Sequence, residues 1–128
     1  EASYIALSDT PDQILKKIKS STTDSEKEIR YDPQTKPGIS NLLGIAAEFS
    51  NKTIKELEKE FSDSSYAQFK EAVGEYIVAG LHPFQTRYKE LEKNRDEVIK
   101  ILREGKQKAE VVANSTLRDV KEKMGFLL

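Results

Sequence analysis

Apolar residues recur along this chain at intervals of three and four rather than two, and that spacing predicts helices throughout. Ile14, Leu15 and Ile18 mark the inward face of a short helix opened by Thr10-Pro11-Asp12-Gln13. There Thr10 or Asp9 serves as cap, proline stands in the first turn, and Gln13 sits at capping-box distance from Thr10. Lys16, Lys17 and Lys19 are expected to face water near the negative end of its dipole. A second helix is expected over about 40–49, with Ser40 or Asn41 capping the amides ahead of Leu42, Leu43 and Ala46. Thr53 and Glu56 box the start of a brief third helix whose apolar face is Ile54, Leu57 and Phe61. Ser65 with Gln68 starts a longer fourth, with Tyr66, Phe69, Val73, Ile77 and Leu81 pointing inward. Phe84, Tyr88 and Leu91 carry the spacing past Pro83, so the pattern predicts one long helix kinked at the proline. Asn94 and Glu97 are expected to form another capping box at the start of the last helix, whose stripe is Val98, Ile101, Leu102, Ala109, Val112, Thr116, Val120 and Met124, and Gly125 stops it. The expected fold class is all-α: about five helices packed as an irregular bundle, the two longest antiparallel across residues 92–95.

Residues 20–36 break the pattern. Ser, Thr, Asp and Glu dominate there, and only Ile29 and Tyr31 are available to anchor a long polar loop. Its exit is Lys36-Pro37-Gly38-Ile39-Ser40-Asn41-Leu42-Leu43, a turn that launches a helix: Pro37 fixes φ and Gly38 permits a bend.

With 128 residues and no internal repeat, the chain suits a single unit over 1–128 with a modest core. Its 21 basic and 22 acidic side chains give a net charge of −1, which makes no global case for nucleic-acid binding. Locally, residues 93–128 hold 9 basic and 6 acidic residues, an excess of three that reads first as a solvated helix face. The absence of cysteine excludes disulfides, thiolate metal sites and a cysteine nucleophile, and suits a reducing cytoplasm. The longest uncharged windows, 37–47 and 76–86, are too short to span a membrane, and no secretory signal stands at the start. A beginning at Glu1 without Met is what a processed, recombinant or excised piece would show.

Candidate chemistry is sparse. His82 is the only histidine and precedes Pro83, where it reads as a partner for backbone groups freed by the proline. The carboxylates of Glu56, Glu58, Glu60, Glu71 and Glu75 lie among lysines as surface pairs, and no serine has a neighbouring base. No catalytic residue and no metal site are therefore expected. Lys16, Lys17 and Lys19, or Lys27 with Arg30, offer an unspecific attraction for phosphate, and Tyr31 is the loop aromatic placed to stack on an unpaired base.

As a string, Thr22-Thr23-Asp24-Ser25, Ile29-Arg30-Tyr31-Asp32-Pro33 and the Lys36 to Leu43 run closely resemble the C-terminal region of bacterial tryptophanyl-tRNA synthetases, class I aminoacyl-tRNA synthetases. Ile14 to Ser20, Tyr66 to Lys70, Leu81 to Tyr88, Leu102 to Ala109 and Ala113 to Val120 resemble that family in the family's order. The Lys36 to Leu43 run points to the tryptophan branch rather than to the tyrosine-specific relatives. Segment 1–9 resembles the stretch just downstream of the family's lysine-serine loop, and no His-Ile-Gly-His-like or Lys-Met-Ser-Lys-Ser string is present. The resemblance implies a C-terminal helical domain that holds the anticodon side of tryptophan tRNA and makes no aminoacyl adenylate by itself. It implies no cofactor in this chain, with ATP and magnesium used by the complete enzyme. The implied partners are tryptophan tRNA and the catalytic domain of the same parent chain, in a cytoplasmic homodimer without a membrane. Lys70 is the first residue it nominates for tRNA, followed by Asp24, Lys27 and Arg30; Lys36, Pro37, Gly38, Ser40 and Asn41 form a motif that reads as architectural. The competing class is a helical protein–protein interaction module, which a large contiguous exposed apolar patch would favour; a basic rim near Lys70, Lys27 and Arg30 would favour tRNA.

Overall fold

A computed structural model describes residues 4–126 and contains five helices: α1 Pro11–Ser20, α2 Pro37–Ser50, α3 Ile54–Glu60, α4 Tyr66–Lys93 and α5 Arg95–Lys123, with no strand among the described residues. The fold is all-α, as the periodicity requires. Of the segment 1–9 singled out above, residues 1–3 lie outside the described residues. Start signals work as reciprocal hydrogen bonds. Thr10 and Gln13 form a capping box on α1, Thr53 and Glu56 on α3, and Ser65 and Gln68 exchange backbone-to-side-chain bonds at the start of α4. At α5 the expected box is only half made: Asn94 accepts the Glu97 N–H at 3.2 Å, but its own backbone N–H goes to the Leu91 carbonyl, and Glu97 takes the Asn94 side-chain amide instead.

The entry to α2 departs from expectation. The helix starts at Pro37, three residues before the expected cap, because a turn built on Asp32 delivers the chain to it. Asp32 Oδ1 accepts the Gln34 and Thr35 N–H groups, each at 3.1 Å, and the Lys36 N–H reaches the Asp32 carbonyl at 2.7 Å. Pro37 takes the first helical position, where its missing N–H costs nothing. Ser40 therefore caps nothing; it is buried, and its hydroxyl accepts the Asp32 N–H at 2.8 Å, fastening helix to loop. Gly38 is helical rather than bent. A Cβ there would collide with the Thr22 carbonyl oxygen and crowd Thr23 Cα at 3.2 Å, so the position needs space for a passing backbone.

The chain divides into two compact units, residues 1–86 and 87–128. In the first, Ile14, Ile18, Ile39, Leu42, Leu43, Ala46, Leu57, Phe69, Val73, Ile77 and Leu81 pack one core, with Ile29 from the loop and the Phe61 ring edge-on to Phe69 at 5.2 Å. Leu15 and Phe49 lie where a Cβ on Gly74 and Gly80 would stand, so these two glycines let α1 and α2 side chains press onto α4. Gln85 Nε2 donates to the Leu7 and Asp9 carbonyls, each at 2.9 Å, and holds the segment before α1. Lys17, expected in water, is half-buried and donates to Asp9 Oδ2 at 2.6 Å beneath the Tyr4 ring. Burial on α4 ends at Leu81, and the continuing positions Phe84 and Tyr88 are exposed.

The second unit contains α5 and the last residues of α4. None of the α5 residues is buried: Ile101, Leu102, Val112, Leu117, Val120 and Met124 are all exposed, so burial does not account for this stripe. Its helicity rests on local terms, the Asn94 cap, acidic Asp96 and Glu97 in the first turn, basic Lys121 and Lys123 in the last, and a Lys106 to Glu110 pair at 3.6 Å. No helix among the described residues is long and apolar enough to cross a membrane.

Candidate functional site

Loop 21–36 leaves α1 and returns to α2 over the first turn of α4, and it is held by side chains at both ends. Ser21 turns its hydroxyl back onto the Ile18 carbonyl at 2.7 Å, while the Ser21 carbonyl accepts Lys70 Nζ at 2.7 Å. Lys70, the first tRNA candidate, is thus half-buried and fastens the start of the loop with one of its three protons.

At the far end Lys36 is fully enclosed, with 0% of its surface exposed. All three ammonium protons find acceptors: Glu26 Oε2 at 2.5 Å, Tyr66 Oη at 3.1 Å and Asp24 Oδ1 at 3.2 Å. Burial opposes the charge on Lys36, but the hydrogen bonds to Glu26, Tyr66 and Asp24 outweigh it and hold the ammonium above its usual range. Asp24 is held below its ordinary value of 3.8, first by the Tyr66 hydroxyl donating at 2.6 Å and then by Lys36 and the Glu26 N–H. Its Oδ1 collects three donors, whereas Oδ2 is buried without a partner. Asp24 and Lys36 therefore meet, as loop ballast turned inward, and Tyr66 binds them to α4. Asp32 lies well below the usual carboxylate range because the Thr35 hydroxyl and N–H donate to it, joined by Arg30 at 3.0 Å.

The outer surface of the same loop carries the remaining candidates. Lys27 is exposed. Arg30 is exposed while bonded to Glu28 at 3.4 Å and to Asp32 at 3.0 Å. Tyr31 is 45% exposed, so Ile29 alone is the apolar anchor, yet the Tyr31 N–H is fixed to Glu58 Oε1 at 2.6 Å. The structure thus joins Asp24, Lys36 and Tyr66, sets Lys70 one turn further along α4, and keeps Lys27 and Arg30 outside that cluster. Sequence reasoning missed Tyr66 and Glu26. Tyr66 lies on the apolar stripe of α4 and passes for core; the available signal was its hydroxyl, which needs a partner once the ring is covered.

Lys-over-tyrosine contacts recur at the other helix ends. Lys52 lies 5.5 Å from the Tyr76 ring centre while donating to Glu60 at 2.6 Å, matching the Lys17, Asp9 and Tyr4 arrangement before α1. Among the described residues, no group of three or more His, Asp or Glu side chains is placed to hold a metal ion.

A family model for class I tRNA synthetases of the W and Y type matches residues 1–82. The chain belongs to that family. It is similar to the tryptophan–tRNA ligase of Caldanaerobacter subterraneus, 41% identical over 97% of its length, and to that of Bacillus subtilis, 42% identical over 98%. Among solved structures, the tryptophanyl-tRNA synthetase of Mycoplasma pneumoniae matches 98% of the chain with a TM-score of 0.84 at 30% identity. The chain spans 37% to 38% of the length of these relatives and corresponds to their C-terminal part. These family relatives carry the tryptophan name, the branch to which the Lys36 to Leu43 run points.

Proposed function

We propose that this chain is the domain that grips the anticodon side of tryptophan tRNA within a longer tryptophan–tRNA ligase. The observation that carries the reading is a loop fixed from inside and left polar outside. Lys36, Asp24, Tyr66 and Lys70 hold its backbone, while Lys27, Arg30 and Tyr31 stand at its surface. Single-stranded RNA is recognised by such combinations, with cations on phosphates and aromatic faces under splayed bases. Lys27 and Arg30 take phosphate in this reading, and Lys70 contributes its two remaining protons. Asp24 acts from inside, keeping the loop in its binding shape. Tryptophan activation, with its ATP and magnesium, belongs to the remainder of the longer protein, and the complete enzyme works as a cytoplasmic homodimer in this reading.

A second reading, a surface for protein rather than RNA, is favoured by the exposed stripe of α5. It suits that helix and leaves the loop unexplained.

The test is a titration with tryptophan tRNA and with the same tRNA altered in its anticodon, at two salt concentrations. Anticodon-dependent binding that Lys27→Ala and Lys70→Ala weaken supports the reading. Equal, salt-sensitive binding to both RNAs, or none, overturns it.

A further inference from the structure

In the Lys36 to Leu43 run, every residue but one has internal work. Lys36 closes the buried network, Pro37 starts the helix, Gly38 admits the Thr22 backbone, Ser40 accepts from Asp32, and Ile39, Leu42 and Leu43 are core. Asn41 is the exception. It is exposed, and among the described residues its carboxamide has no hydrogen-bond partner. Asn41 lines two neighbouring clefts, one toward Tyr4 and Lys17 and a more open one of about 560 Å³ between a strip of α2 and the loop, and the second is the one Tyr31 borders. The strip is Asn41, Gly44, Ile45 and Glu48, at the three-and-four spacing that sets them on one helix face, and Tyr31 lines the cleft from the loop.

We infer that this cleft is a nucleobase pocket, in which an unpaired base lies against the Tyr31 ring and presents its polar edge to the Asn41 carboxamide. The inference rests on the tRNA reading above and names a site for it. The volume falls in the range of roughly 300–1,000 Å³ typical of small-ligand clefts. Gly44 has no side chain, and a Cβ added there would meet nothing within 4 Å, so the floor between Asn41 and Glu48 is open. Ile45 supplies an apolar patch for a flat heterocycle. Tyr31 is suited to stacking because its backbone is already fixed by Glu58, which lowers the ordering cost of using an exposed ring. Asn41 carries a donor and an acceptor side by side, the complement of any base edge that pairs the two. Glu48 can only accept, which favours bases bearing an amino group over uracil, whose single imino proton is flanked by carbonyls. Among the described residues no Lys or Arg lines the cleft, so a phosphate is a poor occupant; backbone phosphates are left to Lys27 and Arg30 on the outer loop.

The experiment is a titration of the chain with the hairpin RNA of the tryptophan tRNA anticodon arm, followed by NMR and by a binding isotherm. The expected result is a shift of the Asn41 side-chain amide and the Tyr31 ring signals, with upfield displacement of one base. Asn41→Ala and Tyr31→Ala should each weaken binding about tenfold, the loss expected for one base-edge pair or one stacked base. Tyr31→Phe should stay within about twofold, since the ring face remains. Both altered positions carry exposed side chains, and unchanged melting temperatures confirm that the variants are folded. The inference is overturned if the hairpin fails to bind, if the shifts map elsewhere, or if Asn41→Ala binds as the parent does. Those failures are distinguishable from failure of the tRNA reading, because anticodon-dependent binding of intact tRNA would still stand.

Discussion

Residues 11–81 and residues 95–123 both carry apolar side chains at helical spacing, yet the first stretch contains almost the whole core and the second buries nothing. Period alone identifies a helix with an apolar stripe. It does not say whether anything in the same chain meets that stripe. The first unit is stabilised by tertiary packing and by side chains that tie loops to helices, and the second by caps and charge order along one helix.

The sharpest way to break this contrast is a cavity in the first unit. Leu43→Ala removes a side chain with no exposed surface and is expected to cost about 2–5 kcal/mol in a denaturant titration. Gly38→Ala comes next. The added methyl meets the Thr22 backbone, which cannot move as a side chain tip would, and about 1–3 kcal/mol is expected, with loss of order in loop 21–36 seen by NMR. A graded loss is expected on acidification. Asp24 and Asp32 sit below their ordinary 3.8 when folded, so the unfolded chain takes up their protons first. Stability is therefore complete above 3.8 and declines as pH falls through it toward the folded values, which a series of melting temperatures would trace. Leu102→Ala, on the exposed stripe of α5, should change stability by less than about 0.5 kcal/mol. A loss as large as that of Leu43→Ala would show that α5 is packed in solution.

How much of this is legible in the sequence depends on whether the cause is local. Capping boxes at Thr10, Thr53 and Ser65 are written within four residues, and each forms as the residues indicate. The inward positions from Phe69 to Leu81 follow from spacing on one helix. The start of α2 is misread because Ser40 and Asn41 look like caps, while the turn that actually feeds the helix is made by Asp32, eight residues before Ser40. The burial of Lys36 is out of reach for a related reason. Its acceptors come from positions 24, 26 and 66, and no pattern within one element signals a lysine satisfied across such separations. Tyr31 and Asn41 carry unrelated signals along the chain, and only folding places them on one cleft.

The enclosure of Lys36 has a chemical consequence. Acylating reagents attack a free, neutral amine, and Lys36 is neither free nor inclined to release its proton. In a folded population it should be the slowest lysine to be modified, and its reaction should keep time with the opening of the loop rather than with reagent concentration. Lys36 is in effect an internal clock for that segment. Lys27, nine residues earlier and exposed, supplies the unshielded reference against which it can be read.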